Sequence, residues 1–310
     1  MRQPYMPDLL DKRLVFVTGK GGVGKSSVAL ALGLAAAERG KRTIVCEVGA
    51  QEHASRVFRR AQIGFHEVEI ADDLWTISID PDDSMREYLL LQLRVRAMGD
   101  LLTRSRIFTY LAAATPGLKE LVTIGKIWEL AQLDRKVKRA RKYDLVIVDA
   151  PATGHSIGFL QSPRTFANIA RVGPIHAQAE ALHAYITDHS RAGAAIVSLP
   201  EEMPVNESEL LERELRDEIG VAVDRVYMNA VYPERFSDSE AERLADAAGS
   251  ADGAGLAAIR TALSEHRRAG AHREHLERLR GLVRAPVDAL PFIFEPELGP
   301  EGLRTLAGEV

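Results

Sequence analysis

Cysteine is almost missing from this chain: Cys46 is the only one in 310 residues. That excludes an intrachain disulfide and any Cys-x-x-Cys metal clamp, and it suits a reducing, cytoplasmic setting. An excess of one charge is missing too. The 40 Lys and Arg stand against 44 Asp and Glu, for a net charge of -4, so no global field favours nucleic acid or an acidic membrane, and no nucleic-acid partner is expected. Long hydrophobic runs are the third absence, because no uncharged apolar stretch reaches the roughly 18 residues that a spanning helix needs. The richest, from Tyr88 to Leu111, is interrupted by Arg94, Arg96, Asp100, Arg104 and Arg106. Residues Met1 to Lys12 carry prolines and acids in place of the apolar core of a signal peptide. Membrane contact is therefore expected only indirectly, through a partner.

The 46% of hydrophobic residues is ample for a large core. Short apolar runs recur as strands at Leu14 to Thr18, Thr43 to Glu47, Leu74 to Ile79, Leu145 to Asp149, Ala194 to Ser198, Arg225 to Asn229 and Pro286 to Leu290. Helical patterns separate them, at Ser26 to Arg39, Pro163 to His189, Asn206 to Ile219, twice within Ser237 to Leu282, and at Gly302 to Ala307. Strands that are apolar throughout, alternating with helices, predict an α/β fold with a mainly parallel sheet flanked by helices. The reading is one domain over residues 1–310 with a helical subdomain inserted at 82–141, to which 163–189 contributes. The glycine-rich loop is not duplicated, so one nucleotide site is expected.

That loop is Gly19, Lys20, Gly21, Gly22, Val23, Gly24, Lys25 and Ser26, followed by Ser27, and it lies between an apolar strand and the start of a helix. It satisfies the Gly-x-x-x-x-Gly-Lys-Ser pattern in the context that the chemistry requires. The glycines let backbone N–H groups face phosphate oxygens, and the helix start adds partial positive charge. Lys25 is assigned to the β- and γ-phosphates and Ser26 to magnesium, which makes ATP or ADP with Mg2+ the expected ligand. Asp149, at the end of its strand, is the second candidate for the magnesium shell.

Lys20 is a second lysine in the loop, and Gly-Lys-Gly-Gly-Val-Gly-Lys-Ser resembles the deviant phosphate loop of ArsA-like dimeric ATPases. The segment from Tyr143 to Leu160, with Thr153, Gly154 and His155 after Asp149, is similar to switch II of the arsenite-pump and tail-anchored-protein targeting ATPases of that family. Pro116, Gly117 and Glu120 resemble a further stretch of it, so the likeness extends over nearly the whole chain. It implies a P-loop NTPase that pairs face to face, as a homodimer or with a paralogous ATPase, with Lys20 reaching the facing subunit's nucleotide. It also implies that Gly154 frees a switch loop, that Asn229 reads the adenine edge, and that Pro291 and Phe292 lie in a second adenine-side segment. An apolar helical protein is the client that the likeness suggests.

One position departs from the family. Where hydrolytic members carry a water-orienting aspartate in switch I, this chain has Gly49. Glu47 lies two residues earlier and is the remaining candidate for the catalytic carboxylate beside Lys20 and Asp149, with Gln51, Glu52 and His53 as further polar groups in the loop. Slow hydrolysis with intact nucleotide binding is the expectation. Two functions follow: a nucleotide-driven dimeric switch that handles a client, or a weakly hydrolytic regulatory subunit paired with an active paralogue. The insertion offers Leu89 to Leu91, Leu93, Met98, Leu101, Leu102, Ile107, Phe108 and Leu111 as a client surface, a pattern that an ordinary packed helix pair shows equally well. Arsenite binding is disfavoured, since soft metalloids need several thiolates.

Overall fold

The computed structural model describes residues 8–49, 52–92, 117–135 and 140–310. Every residue of strand β1, Leu14–Gly19, is buried, and its side chains divide by alternation between the two faces of a sheet. Leu14 and Phe16 enter one apolar cluster, while Val15 and Val17 enter the other. β2 (Thr43–Val48), β4 (Leu74–Ile79), β5 (Leu145–Asp149) and β6 (Ala192–Ser198) are buried along their whole length in the same way. They belong to one eight-stranded sheet of order β3-β4-β2-β5-β1-β6-β7-β8, with β7 at Val223–Val231 and β8 at Val287–Pro291. All neighbours are parallel except β3 (Val68–Ala71), which pairs antiparallel with β4 at the edge. The apolar pattern did not announce β3, since it is four residues long and only Ile70 in it is buried.

Helices cover both faces, as strands without polar alternation require. On one side lie α1 (Lys25–Glu38) and the last helix, α10 (Pro300–Ala307). On the other lie α4 (Leu118–Ala131), α5 (Thr153–Ala170), α6 (Pro174–Ile186) and α7 (Glu202–Arg213), the last continuing into a wider π-type turn over Glu214–Ile219. The short α2 (His53–Val57) follows β2, and α3 (Pro81–Gln92) opens the expected insertion. A helical hairpin, α8 (Asp238–Ala248) and α9 (Gly253–Leu282), stands between β7 and β8. Leu93, Met98, Leu101, Leu102, Ile107, Phe108, Leu111, Pro116 and Gln51 lie outside the described residues, as do the side chains of Leu89 to Leu91. Among the described residues, no helix is long and apolar enough to cross a membrane.

The segment after Asp149 differs from expectation. It was read as a loop freed by Gly154, with a helix beginning at Pro163, yet α5 starts at Thr153 and carries Pro163 in its interior. Proline has no N–H to offer the carbonyl four residues back, and here the Ser162 hydroxyl donates to that carbonyl, Phe159 O, at 2.8 Å. The serine before the proline lets the helix run through.

Candidate nucleotide site

The phosphate loop leaves β1 at the centre of the sheet. Gly24 has a φ of +90°, and a Cβ there would overlap the Asn229 amide, so the position demands glycine twice over. α1 begins at the next residue with no side chain capping its first turn. Its free N–H groups and the positive end of its dipole are open to an anion.

Lys25 and Ser26 start that helix. The Lys25 ammonium donates to the Lys20 carbonyl at 2.9 Å, and burial lowers its pKa, partly opposed by the Asp149 charge. The Ser26 hydroxyl donates to Asp149 Oδ2 at 2.5 Å. Asp149 ends β5, and it is paired in register with Glu47 near the end of β2. Adjacent parallel strands thus deliver two carboxylates to one edge of the loop. Burial raises both: Asp149 to about 6, opposed by the Ser26 bond and Lys25, and Glu47 to about 7, opposed by backbone N–H groups of α2.

Glu47 is only 1% exposed. Its Oε1 accepts from Ala54 N at 2.9 Å, whereas Oε2 is buried without a partner among the described residues. An unmet buried carboxylate oxygen is costly and calls for a cation or a proton. Among the described residues no group of three or more His, Cys, Asp or Glu is arranged to hold a metal. The donor set is one hydroxyl and nearby carboxylates, which fits magnesium, an ion that takes few protein ligands and completes its shell with water and phosphate.

The residues that follow β2 sit close by. Gly49 has a φ of +83°, and among the described residues nothing beyond its chain neighbours lies within 4 Å of where its Cβ would stand. His53 Nε2 lies 3.3 Å from Ser27 Oγ, with its pKa lowered by burial and by Arg56. Glu52 turns the other way, its Oε1 lying 3.4 Å from Gly64 N. His155 lies exposed in the first turn of α5.

On the far side of the loop, a register shift between Met228 and Val231, with Ala230 at φ +58°, breaks the pairing of β7 with β8. Such irregularities re-aim side chains beside sites. Here Asn229 Nδ2 donates to Val23 O at 3.0 Å, so the asparagine braces the loop. Pro291 ends β8 and Phe292 follows, its N–H bonded to Val231 O at 2.9 Å. The Phe292 ring packs on Tyr232 and Phe294 with centroids 4.7 and 4.8 Å apart. Sequence reasoning passed over Tyr232 and Phe294, though both follow the ends of neighbouring strands. It also passed over Glu207 of α7, which pairs with Lys20 at 2.8 Å across 187 residues of chain.

A glycine loop closing on a helix start, with Ser26 joined to a strand-end aspartate in a parallel sheet, defines a P-loop nucleotide-binding protein. The model of the anion-transporting ATPase family matches residues 12–172. ATPase BagA of Mycobacterium tuberculosis is 30% identical over 247 residues, covering 77% of this chain and 71% of its own. ATPase get3 of Neurospora crassa is 26% identical over 185 residues, 57% of this chain and 51% of its own. ATPase ASNA1 homolog 1 of Paramecium tetraurelia is 31% identical over 166 residues, 52% and 47% respectively. The chain belongs to the anion-transporting, ArsA-like ATPase family.

Proposed function

We propose that this chain is a dimeric conformational switch in which Mg·ATP, held by Gly19 to Ser27, brings two subunits face to face. The observation that carries this reading is the Ser26–Asp149 bond below an uncapped helix start, with Lys25 at its side. Magnesium would be held at Ser26, with Asp149 in its shell, and would neutralise phosphate charge. Lys25 orients the β- and γ-phosphates, and Lys20 at the loop tip serves the facing nucleotide. Phe292, Tyr232 and Phe294 offer aromatic surface to the base beside Asn229 and Pro291. The partner is a second copy or a paralogous ATPase.

A second reading is favoured by Gly49: a weakly hydrolytic regulatory subunit that works beside an active paralogue. Glu47 then offers a buried oxygen, without a partner among the described residues, to water or an outer magnesium shell. The client would be an apolar helix. A cavity of about 440 Å3 between α3, α4 and α6, lined by Tyr88, Val122 and Trp128 and also by five charged residues, among them Lys126 and Arg135, adjoins an apolar recess formed by Leu118, Leu121, Ala179 and Leu182. On this reading the helices of 82–141 form the subdomain that nucleotide moves.

Titration calorimetry with Mg·ATP and Mg·ADP tests the central claim. Wild-type protein should bind both, and Lys25→Ala should weaken ATP by about 100-fold or more, as loss of a buried charge-assisted contact does. Wild-type protein that takes up neither nucleotide overturns the proposal.

A further inference from the structure

Lys20 is engaged within its own subunit. Its ammonium sits 2.8 Å from Glu207 Oε1, and its carbonyl accepts from Lys25 at 2.9 Å. Glu207 stands on α7, whose buried residues Val205 and Leu211 pack into the core beside β1 and β6. Its carboxylate is therefore carried by a fixed element while the lysine belongs to a loop. Met203 and Leu210, one turn on either side, are 58% and 43% exposed. The pair itself is 34% and 31% exposed, so solvent screens it and it parts at little cost.

The two lysines are linked. A phosphate that takes the Lys25 ammonium withdraws the bond to the Lys20 carbonyl, and one of the two ties on Lys20 goes with it. We infer that Glu207 is a positioning residue that holds Lys20 in cis in the nucleotide-free chain, and that the chain's own nucleotide loosens this hold before Lys20 reaches a second subunit. Glu207 thereby sets the ATP concentration at which subunits pair. The inference rests on the proposed role of Lys20 in pairing.

The test uses Glu207→Gln, which keeps size and polarity, and Lys20→Ala. The first readout is the rate at which the Lys20 amine is acylated by a water-soluble ester in nucleotide-free protein, followed by peptide mass spectrometry. Glu207→Gln should raise it about two- to five-fold, the range open to a half-exposed ion pair. Its affinity for Mg·ADP should rise by calorimetry, by no more than that factor, because a nucleotide that loosens the hold binds more tightly once the hold is weakened. The second readout is ATP-dependent pairing by sedimentation, whose midpoint should fall by the same factor. Equal acylation rates overturn the latch; so does an ADP affinity that is unchanged, since the nucleotide then does not loosen the hold, or lowered, since Glu207 then supports the phosphate site itself. A raised acylation rate together with Lys20→Ala protein that pairs as wild type does leaves the hold on Lys20 standing but overturns the role of Lys20 in pairing.

Discussion

At the residue scale the site is poised by two carboxylates that burial keeps from ionising freely. Glu47 rises from 4.5 to about 7 and Asp149 from 3.8 to about 6. Both folded values lie above the unfolded ones, so the folded chain holds more protons between pH 4 and 7 and its stability falls as pH rises through that window. Melting of nucleotide-free protein should show this loss, up to about 3 kcal/mol from Glu47. Glu47→Gln should flatten the profile above pH 5, and an unchanged slope in that variant speaks against Glu47 as its source. Magnesium with nucleotide favours the ionised forms, so its stabilising effect should grow over the same range. Glu47 was named from sequence through its place two residues before Gly49. The unpartnered oxygen was not legible, because it depends on β2 lying beside β5 and on α2 presenting Ala54 N. Lys25, Ser26 and Asp149 were legible, since contiguous sequence and a strand end set their geometry.

Helix α5 is the element whose logic is most easily tested. The pair Ser162 and Pro163 continues a helix where proline alone would stop it, by giving the Phe159 carbonyl a hydroxyl in place of an N–H. Ser162→Ala should leave that carbonyl unmet within a buried turn and destabilise the fold by about 1–2 kcal/mol. Adding Pro163→Ala restores an N–H to the same carbonyl, so the double variant should recover much of the loss. Denaturant midpoints of the two single variants and the double variant measure the coupling, and strict additivity would refute the compensation. The helix expected from Pro163 starts ten residues earlier, at Thr153, because the compensating bond runs from a side chain to the backbone and no periodicity encodes it. The strands around β1 were read closely, since burial on both faces leaves an apolar run that few other structures produce. β3 escaped because its pairing on one side asks little of its composition. The bulge at Ala230 escaped as well, and with it the bracing contact of Asn229 on the phosphate loop.

At the scale of the whole molecule, the parallel sheet gathers loop, carboxylates and aromatic cluster at the carboxyl ends of its strands, where α/β folds place ligands. On the proposed reading this arrangement holds a nucleotide and lacks, at Gly49, a side chain to orient water. Among the described residues, position 49 nevertheless has room for a carboxylate: beyond its chain neighbours no atom lies within 4 Å of the Cβ site, and aspartate tolerates the left-handed backbone at a cost of about 1 kcal/mol. If the missing group limits turnover, Gly49→Asp should raise phosphate release by the chain alone by roughly 10- to 100-fold, with ADP affinity little changed. The same logic separates what the chain does for itself from what it does for a partner. In a mixture with a family member that carries aspartate at the position of Gly49, turnover should exceed the sum of the separate rates, and Lys20→Ala here should abolish the excess. On the proposed reading the aspartate of the partner would act on its own nucleotide, and Lys20 would be the group this chain sends across. Additive rates, or an excess that survives Lys20→Ala, would leave the chain a slow ATPase acting by itself, with Gly49 a matter of rate and no mark of shared labour.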